Sequence, residues 1–262
     1  MKWNAGTSGY AYKEWKGPFY PEKLPQKAWL SYYAERLPSV EINNTFYRMP
    51  KTSVVATWAE QVPESFRFSL KASRRITHQK RLKEAADETD YLLSTLRTLG
   101  DKLGVVLFQL PPFLRADRDR LASFLELIPN DIKAAFEFRH ESWLDESIFE
   151  LLRDRNCALV VTDSEEESAG SITATADWGY LRLRKPNYER ADLSGWALRI
   201  AETGWDESFA FFKHEDDGAG PRMAASFLEL ADRQATRKPA PRPKARKTGV
   251  GKRKKPRTKN GA

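Results

Sequence analysis

A single α/β domain folded as a closed (β/α)8 barrel of the triosephosphate-isomerase type is predicted by three observations. Eight short strand-like runs recur along the chain, at residues 2–7, 39–43, 66–71, 104–110, 133–139, 157–163, 179–184 and 208–214. Stretches with helical spacing of apolar residues separate most of them, and strand alternating with helix argues for a parallel sheet. No Gly-rich phosphate loop follows an early strand, because Gly6-Thr7-Ser8-Gly9 is too short for one. That disfavours the runner-up, an open doubly wound sheet. The barrel is expected over residues 1–235, followed by a separate tail, 236–262.

Each connection has its own signature. Trp29, Leu30, Tyr33 and Leu37 form a helical stripe closed by Pro38, and Val54, Val55, Trp58 and Val62 form another closed by Pro63. Leu82, Ala85, Ala86, Leu92, Leu93, Leu96 and Leu99 predict one longer helix that Gly100 ends. Asp117 is placed to cap the next, with Leu121, Phe124, Leu125 and Ile128 inward. Ile148, Phe149 and Leu152 mark a short fifth helix. The sixth connection, residues 164–178, reads as loop and turn. Trp196 and Ile200 predict a short helix before Gly204, and Pro221 suits the first turn of the last one.

Composition narrows the classes. Of 262 residues, 40% are hydrophobic and 12% aromatic, as in globular proteins, and no apolar run reaches the roughly 20 residues of a membrane helix. The N-terminus runs straight into a strand pattern without a signal-peptide layout, and the single cysteine, Cys157, rules out disulfides and thiolate metal cages. Cys157 reads as a buried structural thiol, and a cytoplasmic location is expected. The net charge of +8 divides unevenly. Twelve Lys and Arg and no acid fall in residues 237–262, leaving 32 basic against 36 acidic residues, a body of about −4. The tail, including Lys252, Arg253, Lys254 and Lys255, is expected to be disordered and to attract nucleic acid by charge.

Strand ends carry the chemistry. In this fold they form the carboxyl-terminal mouth where active sites lie. Strand two carries Glu41 and Asn43 opposite Val40 and Ile42, and strand three carries Lys71 opposite Phe68 and Leu70. Strand four ends at Gln109, strand five at Glu137 and Arg139, and strand six at Asp163. Strand seven carries Arg182 and Arg184 opposite Leu181 and Leu183, and strand eight ends at Lys213 and His214. All three histidines, His78, His140 and His214, fall at or just after strand ends. Glu41, Lys71, Glu137, Arg139, His140 and Asp163 are expected to converge in one pocket. Glu137 would act as general acid or base, tuned by Arg139 and His140, with Glu41 and Asp163 as further carboxylates and Asp163 orienting His140. Lys71 and Arg139 would hold an anion, with Arg182 and Lys213 adding positive charge to the mouth. Thr7, Ser8, Tyr10, Asn43, Tyr47, His78, Gln109 and His214 complete the expected substrate-binding set. His and carboxylate ligands also open a divalent-metal reading, but no tight motif such as His-Glu-x-x-His supports it, and the cofactor stays unassigned.

The same strand ends resemble a known family. Gly6-Thr7-Ser8-Gly9-Tyr10 with Trp15-Lys16-Gly17-Pro18-Phe19-Tyr20-Pro21 looks like the opening of the YecE-like family, domain of unknown function seventy-two. Residues 40–47, 68–71 with Ile76-Thr77-His78, Gln109-Leu110-Pro111-Pro112, and Glu137-Phe138-Arg139-His140-Glu141-Ser142-Trp143 are similar to its further motifs. The resemblance runs from residue 3 to about 230 and implies the barrel, but it brings no function. It departs after strand eight, where the family's Asn-Asn-Asp is replaced by Lys213-His214-Glu215-Asp216-Asp217-Gly218.

Three functions fit these residues. The first is an enzyme, of hydrolase or phosphoesterase type, acting on an anionic, phosphate-bearing substrate, nucleic-acid-derived ones included. Aromatics at the mouth (Tyr10, Tyr12, Trp15, Phe46, Tyr47 and Trp143) would stack on a base or sugar. The second is a nucleic-acid-binding protein without catalysis that uses the tail. The third is a small-ligand-binding module.

Overall fold

A computed structural model describes residues 1–165, 171–213 and 216–236, and its eight parallel strands close on themselves in chain order. They are β1 (Lys2–Ser8), β2 (Ser39–Ile42), β3 (Arg67–Lys71), β4 (Leu103–Gln109), β5 (Ala134–Glu137), β6 (Ala158–Asp163), β7 (Trp178–Leu183) and β8 (Glu207–Phe212). Pairing of β1 with β8, from Lys2–Glu207 to Thr7–Phe212, shuts the barrel. Every expected strand is present. His214 and the tail residues Lys252, Arg253, Lys254 and Lys255 lie outside the described residues.

Around the sheet run α1 (Trp29–Ala34), α2 (Asn44–Tyr47), α3 (Thr52–Glu60), α4 (Ala86–Leu96), α5 (Arg118–Leu125), α6 (Glu146–Asp154), α7 (Arg190–Ala201) and α8 (Ala219–Thr236). Asp117 starts α5 by accepting from the backbone N–H of Arg120 at 3.0 Å, a cap that stabilises by about 1 kcal/mol. A capping box of Glu189 and Asp192 starts α7 well before Trp196, so this helix is longer than expected. Between β6 and β7 the described residues hold no helix, as the sequence predicts.

One expectation needs correcting. The helix read from Leu82 to Leu99 begins only at Ala86, because residues Arg75–Gln79 form a π-turn and Arg81, Leu82 and Glu84 take positive φ. Leu82 is still buried, so its apolar signal reflects packing rather than helical conformation. At the other end α4 gives way at Leu96 to a 3-10 turn, Arg97–Lys102, in which Gly100 has φ 54°.

The two faces of the sheet are distinct. Val106, Phe108, Phe136, Leu181 and Phe212 point outward into one core with the helices. Val105, Leu107, Ala135, Ala158, Trp178, Tyr180, Phe209 and Phe211 point inward and fill the barrel. Register carries this inward face upward, pairing Ser8 with Glu41, Glu41 with Ser69, Gln109 with Glu137, and Arg182 with Phe211. Charged residues therefore sit as one layer above an apolar floor. Among the described residues, no helix is long and apolar enough to cross a membrane.

Candidate functional site at the barrel mouth

Arg182, on β7, is the hub of the charged layer and is almost fully buried. Its Nε and Nη2 donate to the two oxygens of Glu41 at 3.0 and 2.9 Å, a bidentate fork. Its Nη1 donates to Glu137 Oε2 at 2.7 Å. Glu41 also accepts from Ser8 Oγ at 2.8 Å, Asn43 Nδ2 at 3.0 Å and the Tyr180 hydroxyl at 2.8 Å. Glu137 accepts in turn from Arg139 Nε at 2.8 Å. Both carboxylates are spent on protein donors.

The electrostatics follow from that pairing. Burial alone would raise the Glu137 carboxyl, but the Arg182 and Arg139 guanidiniums overcome it and hold the group at about 2. Glu41 is held below its ordinary value in the same way, its burial offset by Arg182 and then by Tyr180 and Asn43. Lys71 behaves oppositely. Burial and the nearby Arg182 depress its amine to about 8, against the partial pull of Glu137 and Glu41. Its Nζ donates to Gln109 Oε1 at 2.8 Å and lies 4.1 Å from the centre of the Phe46 ring.

Above this layer opens a cavity of about 390 Å³. Lys71, Arg139, Arg182, Arg184 and Lys213 line it, with Ser8, Asn43 and Gln109 beneath and Tyr12, Phe46 and Tyr47 at the side. Arg184 is half-buried and has no carboxylate partner among the described residues; burial and the adjacent Arg182 disfavour its charge. Tyr47 forms an exposed rim and packs edge-on against Phe46 at 5.0 Å. Gly9, at φ +102°, makes the turn after β1 that lets the Tyr12 hydroxyl donate back to the Ser8 carbonyl at 2.6 Å.

Of the residues expected to converge, Glu41, Lys71, Glu137 and Arg139 do so, joined by Ser8, Asn43, Tyr47, Gln109, Arg182 and Lys213. Asp163 does not. It pairs with Leu183 in register, on the outward face, where its side chain meets Lys185 at 3.1 Å and the Tyr188 hydroxyl at 2.9 Å beside α7. His140 does not either. Since β5 ends at Glu137, His140 lies in the following turn, where Nδ1 accepts from the Ser142 backbone N–H at 3.1 Å. Asp163 therefore does not orient His140. His78 stands behind the pocket wall, bonded to Thr77 Oγ1 and edge-on to Phe46 at 4.9 Å; burial, Lys71 and Arg139 keep its ring neutral more readily than usual. Thr7 fixes the β1 turn by donating to the Gly9 carbonyl at 2.6 Å, and Tyr10 lines an adjoining groove.

Sequence reasoning missed Tyr180, the partner of Glu41, although it stands two residues before Arg182 on the same face. Cys157 is buried and its thiol is pushed up to about 12 by that burial, which suits a structural role. Among the described residues, no three His, Cys, Asp or Glu side chains are grouped as metal ligands.

Comparison with known proteins gives the context. UPF0759 protein YecE of Escherichia coli (strain K12) is 30% identical over 141 residues, 52% of each chain, and UPF0759 protein YunF of Bacillus subtilis (strain 168) is 27% identical over 139 residues, 50% of this chain and 49% of that one. The chain thus spans about half the length of the curated relatives it matches. The crystal structure of a DUF72 family protein from Thermotoga maritima superposes with a TM-score of 0.77 at 24% identity, over 88% of this chain and all of that one. One from Enterococcus faecalis gives 0.71 at 18% identity, over 88% and 98%. Both show the same fold. Residues 4–247 match the family described as "Protein of unknown function DUF72", and the chain belongs to that family.

Proposed function

We propose that the barrel mouth binds a phosphate-bearing substrate and acts on it as a hydrolase. One observation carries the reading: cations from β3, β7 and the ends of β5 and β8 converge on one open cavity, while the carboxylates beneath are already used on Arg182 and Arg139. Lys71, Arg184 and Lys213 have no carboxylate partner among the described residues, and guanidinium and ammonium groups of this kind suit the oxygens of a phosphate. Arg182 cannot swing away, because Glu41 and Glu137 fix it at three of its nitrogens.

The proton-transfer role moves from Glu137 to Lys71. A carboxyl held at about 2 is neither an acid nor an effective base near neutral pH, whereas an amine at about 8 exchanges readily. In hydrolysis of a phosphate ester, water attacks phosphorus and the bond to the leaving oxygen breaks. Lys71 donates its proton to that oxygen, the guanidiniums offset charge on the phosphoryl oxygens, and the water's proton passes to solvent.

Binding without turnover is the second reading. It is favoured by the saturation of Glu41 and Glu137, which leaves no spare carboxylate among the described residues of the mouth to activate water. Calorimetry and thermal shift with inorganic phosphate, pyrophosphate and simple phosphate monoesters, combined with a phosphate-release assay, separate the two. Turnover lost in Lys71→Met supports the enzyme. Saturable binding without release supports the binding module, and absence of any stabilisation by phosphates ends both readings.

A further inference from the structure

We infer that the ligand of this site is a short single strand of nucleic acid carrying a terminal phosphate, an inference that rests on the phosphate-binding reading above. The mouth cavity does not stop at its own wall. It shares Tyr12 and Asn43 with a second cavity of about 150 Å³ beside the β1 turn. That one shares Asn44 and Trp58 with a third, of about 370 Å³, between α2 and α3. The three cavities adjoin in series, from the end of β7 to the start of α3, across these shared residues.

Its charge is segregated. Among the described residues, no Asp or Glu lines any of the three cavities, although the body of the protein carries more acidic than basic residues. At the far end stand Arg48 and Lys51, both exposed and without a carboxylate partner among the described residues. Between the two cationic ends lie aromatic surfaces from Tyr12, Tyr47 and Trp58. Trp58 is half-buried and packs one face on Phe68, with ring centres 6.2 Å apart.

A lone phosphate, or a mononucleotide, would occupy the mouth and leave Arg48 and Lys51 unused. Two groups of cations joined by aromatic surface match a chain with repeated phosphates and flat bases between them, the pattern by which single strands are held. A duplex offers its bases to neither face of such a groove.

The full-length protein is titrated calorimetrically with inorganic phosphate, a mononucleotide and a 5′-phosphorylated trinucleotide, alongside an Arg48→Ala, Lys51→Ala double variant. The basic tail is common to both proteins, so its pull cancels in the comparison. The trinucleotide is expected to bind about tenfold more tightly than the mononucleotide and to lose about that factor in the double variant. The slope of log affinity against log salt should fall by about 1.4, two phosphate contacts at about 0.7 each. Phosphate and mononucleotide affinities should not change. Equal binding of mono- and trinucleotide, or a trinucleotide affinity untouched by the double variant, overturns the inference while phosphate binding leaves the mouth reading standing. Failure of all three ligands to bind overturns both.

Discussion

The two ends of this barrel each gather charge on the inward side, and they do so differently. At the base, Glu207 accepts from Asn4 at 2.8 Å and is paired with Lys2 at 3.3 Å and with Lys133. Lys2 and Lys133 are partly in water, with side chains 50% and 40% exposed, and Lys133 also lies over the Trp178 and Phe209 rings. Solvent and aromatic faces therefore meet the excess charge at the base. At the mouth, Glu41, Glu137 and Arg182 are all but sealed from water, and Arg184 stands beside them half-buried and without a carboxylate partner among the described residues. Positive charge at the base is offset where it stands; at the mouth, among the described residues, cations outnumber the carboxylates paired with them. A folding argument accounts for the first. The phosphate-binding reading proposed above would account for the second.

The largest test removes the hub. Arg182→Met leaves two buried carboxylates without their main counter-charge, which should cost about 3–5 kcal/mol at neutral pH. The loss should depend on pH with a definite sign. Glu137 is held at about 2 in the folded protein, below its unfolded value, so its contribution is present above the unfolded pKa and is lost as pH falls through the folded one. In the variant these carboxyls should take up protons more easily. Urea midpoints of the two proteins should therefore converge on acidification from about pH 5 toward pH 3. A penalty under about 1 kcal/mol, or curves that stay parallel, would show that the pairing does not matter.

Next in size is the cavity-lining cation Lys71. Lys71 is charged below about 8 and neutral above it, so anion affinity should fall as pH rises through that value. Sulfate is the better probe here because its own charge is constant across the range. A loss of about tenfold is expected, equivalent to about 1.4 kcal/mol for one charge-assisted contact. Lys71→Met should start at the weaker affinity and show no inflection. If the inflection persists in that variant, another group titrates and the assignment to Lys71 is wrong.

How much of this could be read from the chain depended on alternation. On β2, β3, β5 and β7 an apolar residue alternates with a polar or charged one, so Glu41, Lys71, Glu137 and Arg182 could be given one inward face before any coordinates. Strand β6 is different. Leu159 and Val161 are apolar on one face and Ala158 and Val160 on the other, so period two does not say which way Asp163 points. Only the register against Leu183 decides it. His140 was misplaced because β5 stops two residues before Arg139, and a single sequence fixes strand ends poorly. The hub role of Arg182 was illegible for a third reason: its partners come from strands 141 and 45 residues distant, and sequence spacing carries no sign of which strands face each other across a barrel.

The smallest effect is expected at the base, and its smallness is the point. Glu207→Gln keeps an acceptor for the Asn4 amide, so the buried polar partner is not orphaned. What is lost is attraction to Lys2 and Lys133, both substantially exposed, and pairs of that kind contribute about 0–1 kcal/mol after screening. Burial raises the Glu207 carboxyl, but Lys133, Asn4 and Lys2 together keep it below its ordinary value. Its stabilisation is thus present above the unfolded pKa and lost on acidification, as at the mouth but with less at stake. Sulfate affinity should be unchanged, because the apolar floor of Phe209, Tyr180 and Leu107 separates the base from the ligand cavity. Urea denaturation and sulfate titration of this single variant check both statements. A loss of about 3 kcal/mol or more would mean that the base is as tightly coupled as the mouth. A changed sulfate affinity would mean that the two ends communicate, and that the charge at the mouth cannot be read by itself.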